Sequence, residues 1–288
     1  MSGSSLFDCL KKDRPLVGPG IWDALSARMA EREGFEMAFL SGYCLTASLT
    51  GEPDFGLITQ TQMLDAATRI CAAVKIPIIV DIDTGYGGPF NVERTVAGLI
   101  QAGAAGCFLE DQLFPKRCGH MERKQVVPVE EYLPKLRAAL RARGDKPFHV
   151  TARTDSLAVL GIDEAIRRAK LYRDAGADAV FVEAPRSLAD LIRIRNEVAE
   201  VTLVANMVEQ GKTPIIPVAE LYRMGYAMVA VPVAGLLSMT HALSRLFRNL
   251  HEQGSTLATQ KDMLTFQELN GILGLNEKYE REKDWLGD

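Results

Sequence analysis

Eight short apolar runs, rich in β-branched residues, alternate along the chain with longer segments of helical period, and this alternation constrains the fold more than any other feature. Such runs predict buried strands, and the segments between them predict amphipathic helices. Strands joined by helices run parallel, because each return connection crosses over the sheet. Eight such units predict an α/β fold, a (β/α)₈ barrel of the TIM type. The predicted strands are Leu16–Pro19, Met37–Gly42, Ile78–Asp83, Cys107–Asp111, His149–Thr154, Ala179–Glu183, Thr202–Met207 and Met228–Val233.

An internal repeat favours one barrel over two domains. Gln101–Glu110 reads QAGAAGCFLE and Asp174–Glu183 reads DAGADAVFVE, so a glycine-terminated helix followed by a strand ending in Glu occurs twice. The 288 residues approach two domains at roughly 150 residues each, yet a single barrel reaches about 250. No linker rich in Pro, Ser or Gly divides the chain, and no G-x-G-x-x-G dinucleotide motif follows the first strand. We therefore predict a single α/β-barrel domain over residues 1–288.

The chain continues beyond the eighth predicted strand for longer than a minimal barrel requires. Leu236–Gln253 and the region Glu268–Lys283 predict further helices. Most soluble oligomers are assembled from identical subunits, and spare terminal helices are available for such contacts. We expect residues 236–288 to form a C-terminal helical extension that serves oligomerisation.

The charge balance argues against nucleic acid and membranes as partners. Lys+Arg 33 and Asp+Glu 37 leave a net charge of −4, with neither sign gathered into long blocks. The longest apolar run, Tyr226–Leu237, contains Pro232 and Gly235 and is shorter than the roughly 18 residues of a membrane span. The first residues lack the features of a secretory signal, and five scattered cysteines are typical of reduced thiols. We expect a cytoplasmic protein that acts on a small polar molecule.

Asp81 and Asp83 end the third predicted strand, and the two-residue period of a strand directs both side chains to the same side. A carboxylate pair at a barrel interior is costly unless something neutralises it. A bound divalent cation would do so, and carboxylates with water are the ligands preferred by Mg²⁺ or Mn²⁺ rather than by zinc. The alternative is that both acids cap the next helix or bind loop backbone.

Further polar residues end the following strands, where the reactive residues of a barrel lie. Strand parity places Glu110 on the side of the acid pair and directs Asp111 away from it. Arg153 offers a planar cationic fork suited to a substrate carboxylate or to the acids themselves. Glu183 and Asn206 end the next two strands. Each could instead be a structural ion-pair partner, and only their occurrence at successive strand ends favours a site.

A thiol lies between two cations and an imidazole in the loop Lys116–His120, which reads KRCGH. Neighbouring positive charge lowers the pKa of a cysteine, so we expect Cys118 to be a proton donor or nucleophile at neutral pH. The alternative for Cys118, and for His120, is an ordinary solvated loop residue.

These motifs together resemble the isocitrate lyase/phosphoenolpyruvate mutase superfamily. The similarity is carried by Asp81–Gly87 (DIDTGYG), Leu109–Gln112 (LEDQ), Lys116–His120, Ser41–Tyr43, Gly51–Asp54, Ala152–Asp155 and Ala205–Glu209, and so covers nearly the whole chain. The resemblance implies a barrel with Mg²⁺ at the carboxyl ends of the strands and chemistry on α-keto acids or enolates. It also implies homotetramers, dimers of dimers whose paired subunits exchange a C-terminal helix.

The resemblance further implies a metal site. Asp81 matches the direct metal ligand of the superfamily, while Asp83, Glu110 and Asp54 match the surrounding shell, which contacts the metal largely through water.

The resemblance implies a substrate site beside that metal. Ser41, Gly42 and Tyr43 match the segment whose backbone amides hold the α-keto acid carboxylate, and Arg153 matches the arginine that binds the same part of the substrate. Two polar residues match positions that line the pocket, namely Glu183 and Asn206.

The intact Lys-Arg-Cys-Gly-His motif resembles the 2-methylisocitrate lyase-like branch, which carries it on a mobile gating loop. This implies a lyase that cleaves a 2-methylisocitrate- or dimethylmalate-like 2-hydroxy di- or tricarboxylate to an α-keto acid and a carboxylate through an enolate. Cys118 is then the candidate general acid, with Lys116 and His120 beside it. Phe39 stands where such lyases carry a tyrosine suspected of being the base, so Tyr43 and a metal-bound water are the candidates for that role.

Three alternatives stay open. Carboxyphosphonoenolpyruvate phosphonomutase, which acts on P–C bonds, shares the Asn206–Pro214 stretch and the cysteine loop. Hydrolysis or decarboxylation of oxaloacetate would use the same site. The third alternative is a catalytically silent barrel that only binds a ligand.

Overall fold

A computed structural model describes residues 5–287, and it contains a closed barrel of eight parallel strands in sequence order. This confirms the predicted (β/α)₈ fold. Each strand pairs with its neighbours in sequence, and the eighth closes the barrel against the first. The strands are β1 (Leu16–Ile21), β2 (Ala38–Leu40), β3 (Ile78–Asp81), β4 (Gly106–Glu110), β5 (His149–Thr154), β6 (Ala179–Val182), β7 (Thr202–Asn206) and β8 (Met228–Val231).

Helices follow the strands on the outside of the barrel. Side-chain caps begin several of them: Ser41 accepts from the amide of Cys44 at the start of α3, and Thr59 accepts from Gln62 in a capping box at the start of α4. The helices up to the last strand are α1 (Leu6–Leu10), α2 (Ala24–Arg32), α3 (Gly42–Thr50), α4 (Gln60–Ala73), α5 (Pro89–Ala102), α6 (Val129–Arg143), α7 (Leu157–Leu160), α8 (Ile162–Asp174), α9 (Leu188–Glu197) and α10 (Val218–Arg223).

Most of the strands end one or two residues earlier than the sequence predicts. The predicted Met37–Gly42 stops at Leu40, because Ser41 caps α3 and Gly42 already begins that helix. The predicted Ile78–Asp83 stops at Asp81, and Asp83 adopts a left-handed backbone with φ 51°. Ser41 and Asp83 therefore belong to a helix cap and a turn rather than to the strands.

The barrel encloses an apolar interior that supports its carboxyl end. Three aromatic rings, Phe39, Phe108 and Phe181, pack there, with centroids 5.0 Å and 5.6 Å apart in successive pairs. Leu6 and Cys9 of α1 join the same buried cluster. A separate core fills the space between the strands and the outer helices. The rings thus lie between the apolar barrel interior and the polar strand ends.

Residue contacts divide the chain into two units, Met1–Gly235 and Leu236–Asp288. The second unit holds most of α11 (Ala234–Gln253), a 3₁₀ helix (Leu257–Asp262), α12 (Phe266–Leu273) and α13 (Leu275–Leu286). The region Glu268–Lys283 is helical as predicted, and Gly274, with a left-handed φ of 76°, separates α12 from α13. Among the described residues, none beyond Leu236 is buried. No described helix is long and apolar enough to cross a membrane.

Candidate active site

Six successive strands, β2 to β7, present a polar side chain at their carboxyl ends. Parallel strands carry these ends to one rim of the barrel. The residues are Ser41, Asp81, Glu110, Arg153, Glu183 and Asn206. Strands β8 and β1 differ, because the residues that follow them are Pro232 and Trp22. The polar rim therefore covers six strands and leaves an uncharged sector over the other two.

Asp81 and Asp83 lie side by side next to the start of α3. A Cβ atom added to Gly42 would stand 3.3 Å from an oxygen of each carboxylate, and the amide of Asp83 donates to Asp81 Oδ1 at 3.1 Å. Their proximity comes from the left-handed turn at Asp83 rather than from strand alternation. Burial, and then the charges of Asp81 and Asp54, raise the pKa of Asp83 to about 7 against the lowering effect of Lys116.

Lys116 brings the cysteine loop onto these acids. Its Nζ lies 2.6 Å from Asp54 Oδ2 and 2.5 Å from Asp83 Oδ1, with all three side chains almost fully buried. Burial opposes the charge of Lys116, but Asp83 and Asp54 outweigh it and raise the pKa of the ammonium well above its usual value. The predicted metal-shell residues Asp54 and Asp83 are thus brought together, and the loop supplies a cation between them.

Arg153 is the centre of a second group of carboxylates. Its guanidinium lies 3.3 Å from Glu110, 3.2 Å from Glu183 and 2.9 Å from Asp155, and 5.2 Å over the ring of Phe181. Burial raises the pKa of Glu110 well above its usual range against the opposing charge of Arg153. For Glu183 burial acts in the same direction, but Arg153 and His120 hold its pKa below its usual range. The guanidinium thus contacts three carboxylates through Nε and Nη2.

The predicted lowering of the Cys118 pKa is wrong. Burial raises the pKa of this thiol to about 11, and Glu183 and Asp54 add to the rise. The two cations beside it in sequence do not act on it, because Lys116 is paired with acids and Arg117 donates to the carbonyls of Glu122 and Arg123. The thiol is therefore protonated at neutral pH, which is the form that a proton donor needs.

The rest of the cysteine loop is fixed to the strand ends. His120 Nε2 lies 3.1 Å from Glu183 Oε1, and Lys124 Nζ lies 3.0 Å from Asp155 Oδ1 and also contacts the carbonyl of Gly119. Asp155 and Lys124 had no assigned role from sequence. Asp155 stands two residues after Arg153, a spacing that could have indicated it, whereas a charged residue at position 124 carries no signal in sequence.

Asp111 faces away from this group, as strand parity predicts. Its carboxylate accepts from Arg168 Nη1 at 2.9 Å, from the Tyr172 hydroxyl at 2.8 Å, and from the Thr154 hydroxyl at 2.7 Å. It also accepts from the amide of Asp155 at 2.9 Å. Asp111 thus joins β4 to β5 and α8 outside the barrel interior.

The start of α3 offers two amides rather than the three that the resemblance implies. The amide of Ser41 donates to the carbonyl of Ile21 at 3.0 Å, so it is already used between β2 and β1. Gly42 and Tyr43 are the first residues of the helix, where amides have no acceptor within the helix. These two amides are placed to hold a carboxylate beside Asp81.

The comparison with protein families decides the affiliation. The family model described as phosphoenolpyruvate phosphomutase matches residues 7–251. The chain belongs to this family. Three relatives are 2,3-dimethylmalate lyase of Eubacterium barkeri (38% identical; 99% of this chain, 98% of the relative), 2-methylisocitrate lyase of Aeropyrum pernix (39%; 98% and 90%) and chloroplastic carboxyvinyl-carboxyphosphonate phosphorylmutase of Arabidopsis thaliana (47%; 92% and 79%).

Solved structures of the phosphoenolpyruvate mutase family agree in fold over the full chain. Oxaloacetate acetylhydrolase in complex with 3,3-difluorooxalacetate superposes with a TM-score of 0.94 at 36% identity, covering 100% of this chain and 98% of that one. A 2,3-dimethylmalate lyase, described as a member of the PEP mutase/isocitrate lyase superfamily, gives 0.93 at 35%, covering 100% and 96%. The predicted superfamily is confirmed, and the chain is an enzyme of the lyase type within it.

The acid group is the set of predicted metal-binding carboxylates, namely Asp54, Asp81, Asp83 and Glu110. It fits a divalent cation that keeps much of its water. Asp54 Oδ1 and Glu110 Oε1 are buried and accept no hydrogen bond from any residue between 5 and 287. Among those same residues, no three His, Cys, Asp or Glu side chains stand close enough to bind a metal together. Mg²⁺ commonly uses one or two carboxylates and retains several waters. The unpartnered oxygens of Asp54 and Glu110 therefore fit a divalent cation that retains several waters.

Proposed function

We propose that the chain is a Mg²⁺-dependent carbon–carbon lyase that cleaves a 2-hydroxy di- or tricarboxylate to an α-keto acid and a second carboxylate. The observation that carries this proposal is the position of Cys118, a partly buried thiol with a raised pKa, on a loop fixed to the same strand ends as the acid group and Arg153. A lyase of this kind needs a cation, a carboxylate-binding fork and a proton donor around one substrate.

Asp81 is the residue that we assign to direct metal binding, with Asp83, Glu110 and Asp54 around it. The raised pKa values of Asp83 and Glu110 support this assignment, because they show carboxylates that lack enough positive charge nearby. When bound, Mg²⁺ would supply that charge and stabilise negative charge on substrate oxygens.

The chain's own residues divide the remaining work. The amides of Gly42 and Tyr43 and the guanidinium of Arg153 bind the carboxylate of the α-keto acid portion. The substrate hydroxyl would lose its proton to a water held at the acid group, the remaining candidate for the base. Its C–O bond then becomes the new carbonyl as the C2–C3 bond breaks. The electron pair remains on the C3 fragment as an enolate, and Cys118 protonates that carbon. Burial raises the pKa of Tyr43, which argues against its phenolate as the base.

The uncharged sector over β8 and β1 bears on the substrate class. The backbones approach so closely there that a Cβ at Gly20 would lie 1.8 Å from the Pro232 carbonyl oxygen, and Trp22 and Val233 are apolar and buried. A third substrate carboxylate would find no cation in this sector. These features favour an alkyl-substituted malate, as in the name of 2,3-dimethylmalate lyase, over a tricarboxylate.

The test is a panel of 2-hydroxy di- and tricarboxylates, oxaloacetate and phosphonates, each with and without Mg²⁺. We expect Mg²⁺-dependent release of pyruvate or another α-keto acid from an alkyl-substituted malate. A coupled dehydrogenase assay measures this release. Oxalate formed from oxaloacetate would indicate hydrolysis, and a new phosphorus NMR signal from a phosphonate would indicate P–C chemistry. Either result without cleavage of any 2-hydroxy acid would overturn the proposal.

A further inference from the structure

We infer that Gly211 and Lys212, on the loop after β7, are positioning residues that receive His120 and thereby hold the cysteine loop closed over the strand ends. The inference concerns the position of the loop, so it does not depend on which bond the enzyme cleaves. It rests on contacts between two loops that are about ninety residues apart in sequence.

The backbone of Lys212 fixes the His120 ring. The amide of Lys212 donates to His120 Nδ1 at 2.9 Å. An amide always carries its hydrogen, so Nδ1 must be unprotonated and the ring proton must be on Nε2. That nitrogen lies 3.1 Å from Glu183 Oε1. One hydrogen bond therefore selects the tautomer that faces the carboxylate paired with Arg153.

Two glycines allow the two loops and the strand ends to interlock. A Cβ at Gly211 would lie 2.5 Å from His120 Nδ1, and a Cβ at Gly119 would lie 2.5 Å from Arg153 Nη2 and from Glu183 Cδ. Neither glycine has a φ in the left-handed region, so space rather than backbone conformation requires glycine at both positions. The turn that presents Gly211 is itself closed by a bond from its amide to the Val208 carbonyl at 2.9 Å.

The side chain of Lys212 has a lesser part. Its ammonium lies 2.7 Å from Glu122 Oε1 and 3.4 Å from the Met121 carbonyl, but the Glu122 side chain is 82% exposed. Exposed ion pairs contribute little. We therefore assign the docking function to the amide of Lys212 and to the empty space at Gly211, which gives the test two distinguishable variants at adjacent positions.

Access to the Cys118 thiol reports whether the loop is closed. In the full-length protein, we would measure the rate of alkylation of Cys118 by peptide mass spectrometry, which separates it from the other four cysteines. Gly211→Ala should raise that rate about tenfold or more, because the added methyl group displaces His120 and its hydrogen bond is lost. Lys212→Ala keeps the amide and should change the rate by about twofold at most. Gly271→Ala, where a Cβ meets nothing within 4 Å, is the matched control.

A rate in Gly211→Ala equal to that of Gly271→Ala would overturn the inference, as would a large increase in Lys212→Ala. Nitrogen NMR of the wild-type imidazoles provides a second test, in which the docking contact itself is unchanged. The His120 signals, identified by their loss in His120→Gln, should show the neutral Nε2–H tautomer. A ring protonated on Nδ1 at neutral pH would contradict the proposed hydrogen bond.

Discussion

Several side chains at the strand ends have pKa values shifted from those of the same groups in water. Asp83 and Glu110 are drawn toward the protonated state by burial, whereas Glu183 stays ionised because Arg153 and His120 face it. Acids a few ångströms apart thus differ in protonation. Groups with separated pKa values can take different roles in one reaction.

Replacing the sulfur of Cys118 by oxygen is expected to remove its function as a proton donor. Cys118→Ser should lower turnover by about 10² to 10⁴ fold, the usual contribution of a general acid, since a hydroxyl is a much weaker acid than a thiol. Binding of pyruvate or oxalate should persist, because Arg153 and the amides of α3 are unchanged. Calorimetric titration with oxalate is the control, and undiminished turnover would exclude Cys118 as the proton donor.

Asp83 should make Mg²⁺ binding depend on pH. Its pKa is raised to about 7 by burial and by Asp81 and Asp54, so below pH 7 the cation competes with a proton. The affinity should fall by up to about tenfold per pH unit below that value and level off above it. Calorimetry at pH 6, 7 and 8, in two buffers of different ionisation enthalpy, should show proton release on binding. Equal affinities at pH 6 and pH 8 would contradict the assignment.

His149 should make the folded protein sensitive to acid. Burial lowers its pKa from 6.5 to about 4, so the unfolded chain takes up this proton first. The contribution is fully present above pH 6.5 and is lost as the pH falls toward 4, by about 3 kcal/mol in total. Urea unfolding between pH 7 and pH 4 should show a smaller loss in His149→Gln than in the wild type. Identical pH profiles would show that His149 does not contribute.

At the scale of elements, one substitution should test how the strands are tied together. Asp111 accepts four hydrogen bonds from β5 and α8, with Arg168 buried beside it. Asp111→Asn should cost about 3 kcal/mol of unfolding free energy, because it removes the buried counter-charge of Arg168 and leaves only the partly exposed Glu164 to pair with it. Asp163→Asn, an 86% exposed partner of Arg193, should leave the urea midpoint unchanged. Equal midpoints for both variants would refute the structural role of Asp111.

Regular elements were the part of the structure that sequence could predict. Both bounds of β5 agree with the prediction, and strand parity correctly separates Glu110 from Asp111, because side-chain direction within a strand follows from the local backbone. Parity has no meaning at Asp83, which lies beyond the end of β3 in a left-handed turn. The sequence predicted that Asp81 and Asp83 lie together, but it attributed this to strand alternation, whereas the structure has a left-handed turn at Asp83.

The cysteine loop shows the opposite case. Sequence neighbours suggested a thiol between two cations, yet the partners of those cations come from distant segments. Lys116 pairs with Asp54, 62 residues away, and His120 docks on Lys212, 92 residues away. Such contacts decide which charges reach Cys118, and no local pattern encodes them.

At the scale of the whole molecule, the C-terminal extension needs a partner surface. None of its described residues beyond Leu236 is buried, and large apolar side chains such as Phe266 and Trp285 are 81% and 72% exposed. Exposed apolar surface on this scale marks an interaction site. We propose that the extension is exchanged between subunits of a homotetramer. Light scattering should give four times the chain mass, and Phe266→Ser with Trp285→Ser should give smaller species. A monomeric wild type would contradict this.

The incomplete ring of polar residues has a consequence for stereochemistry. Polar groups occupy the rim from β2 to β7, while the described residues that follow β8 and β1 are Pro232 and Trp22. The polar side of the rim can bind two substituents of the tetrahedral C2 carbon, its carboxylate and its hydroxyl. The apolar side over β8 and β1 can then distinguish between the two remaining substituents. The mirror image of a substrate would turn its hydroxyl toward Pro232 and its alkyl group toward the acids. A racemic 2-hydroxy acid should therefore be consumed only to half.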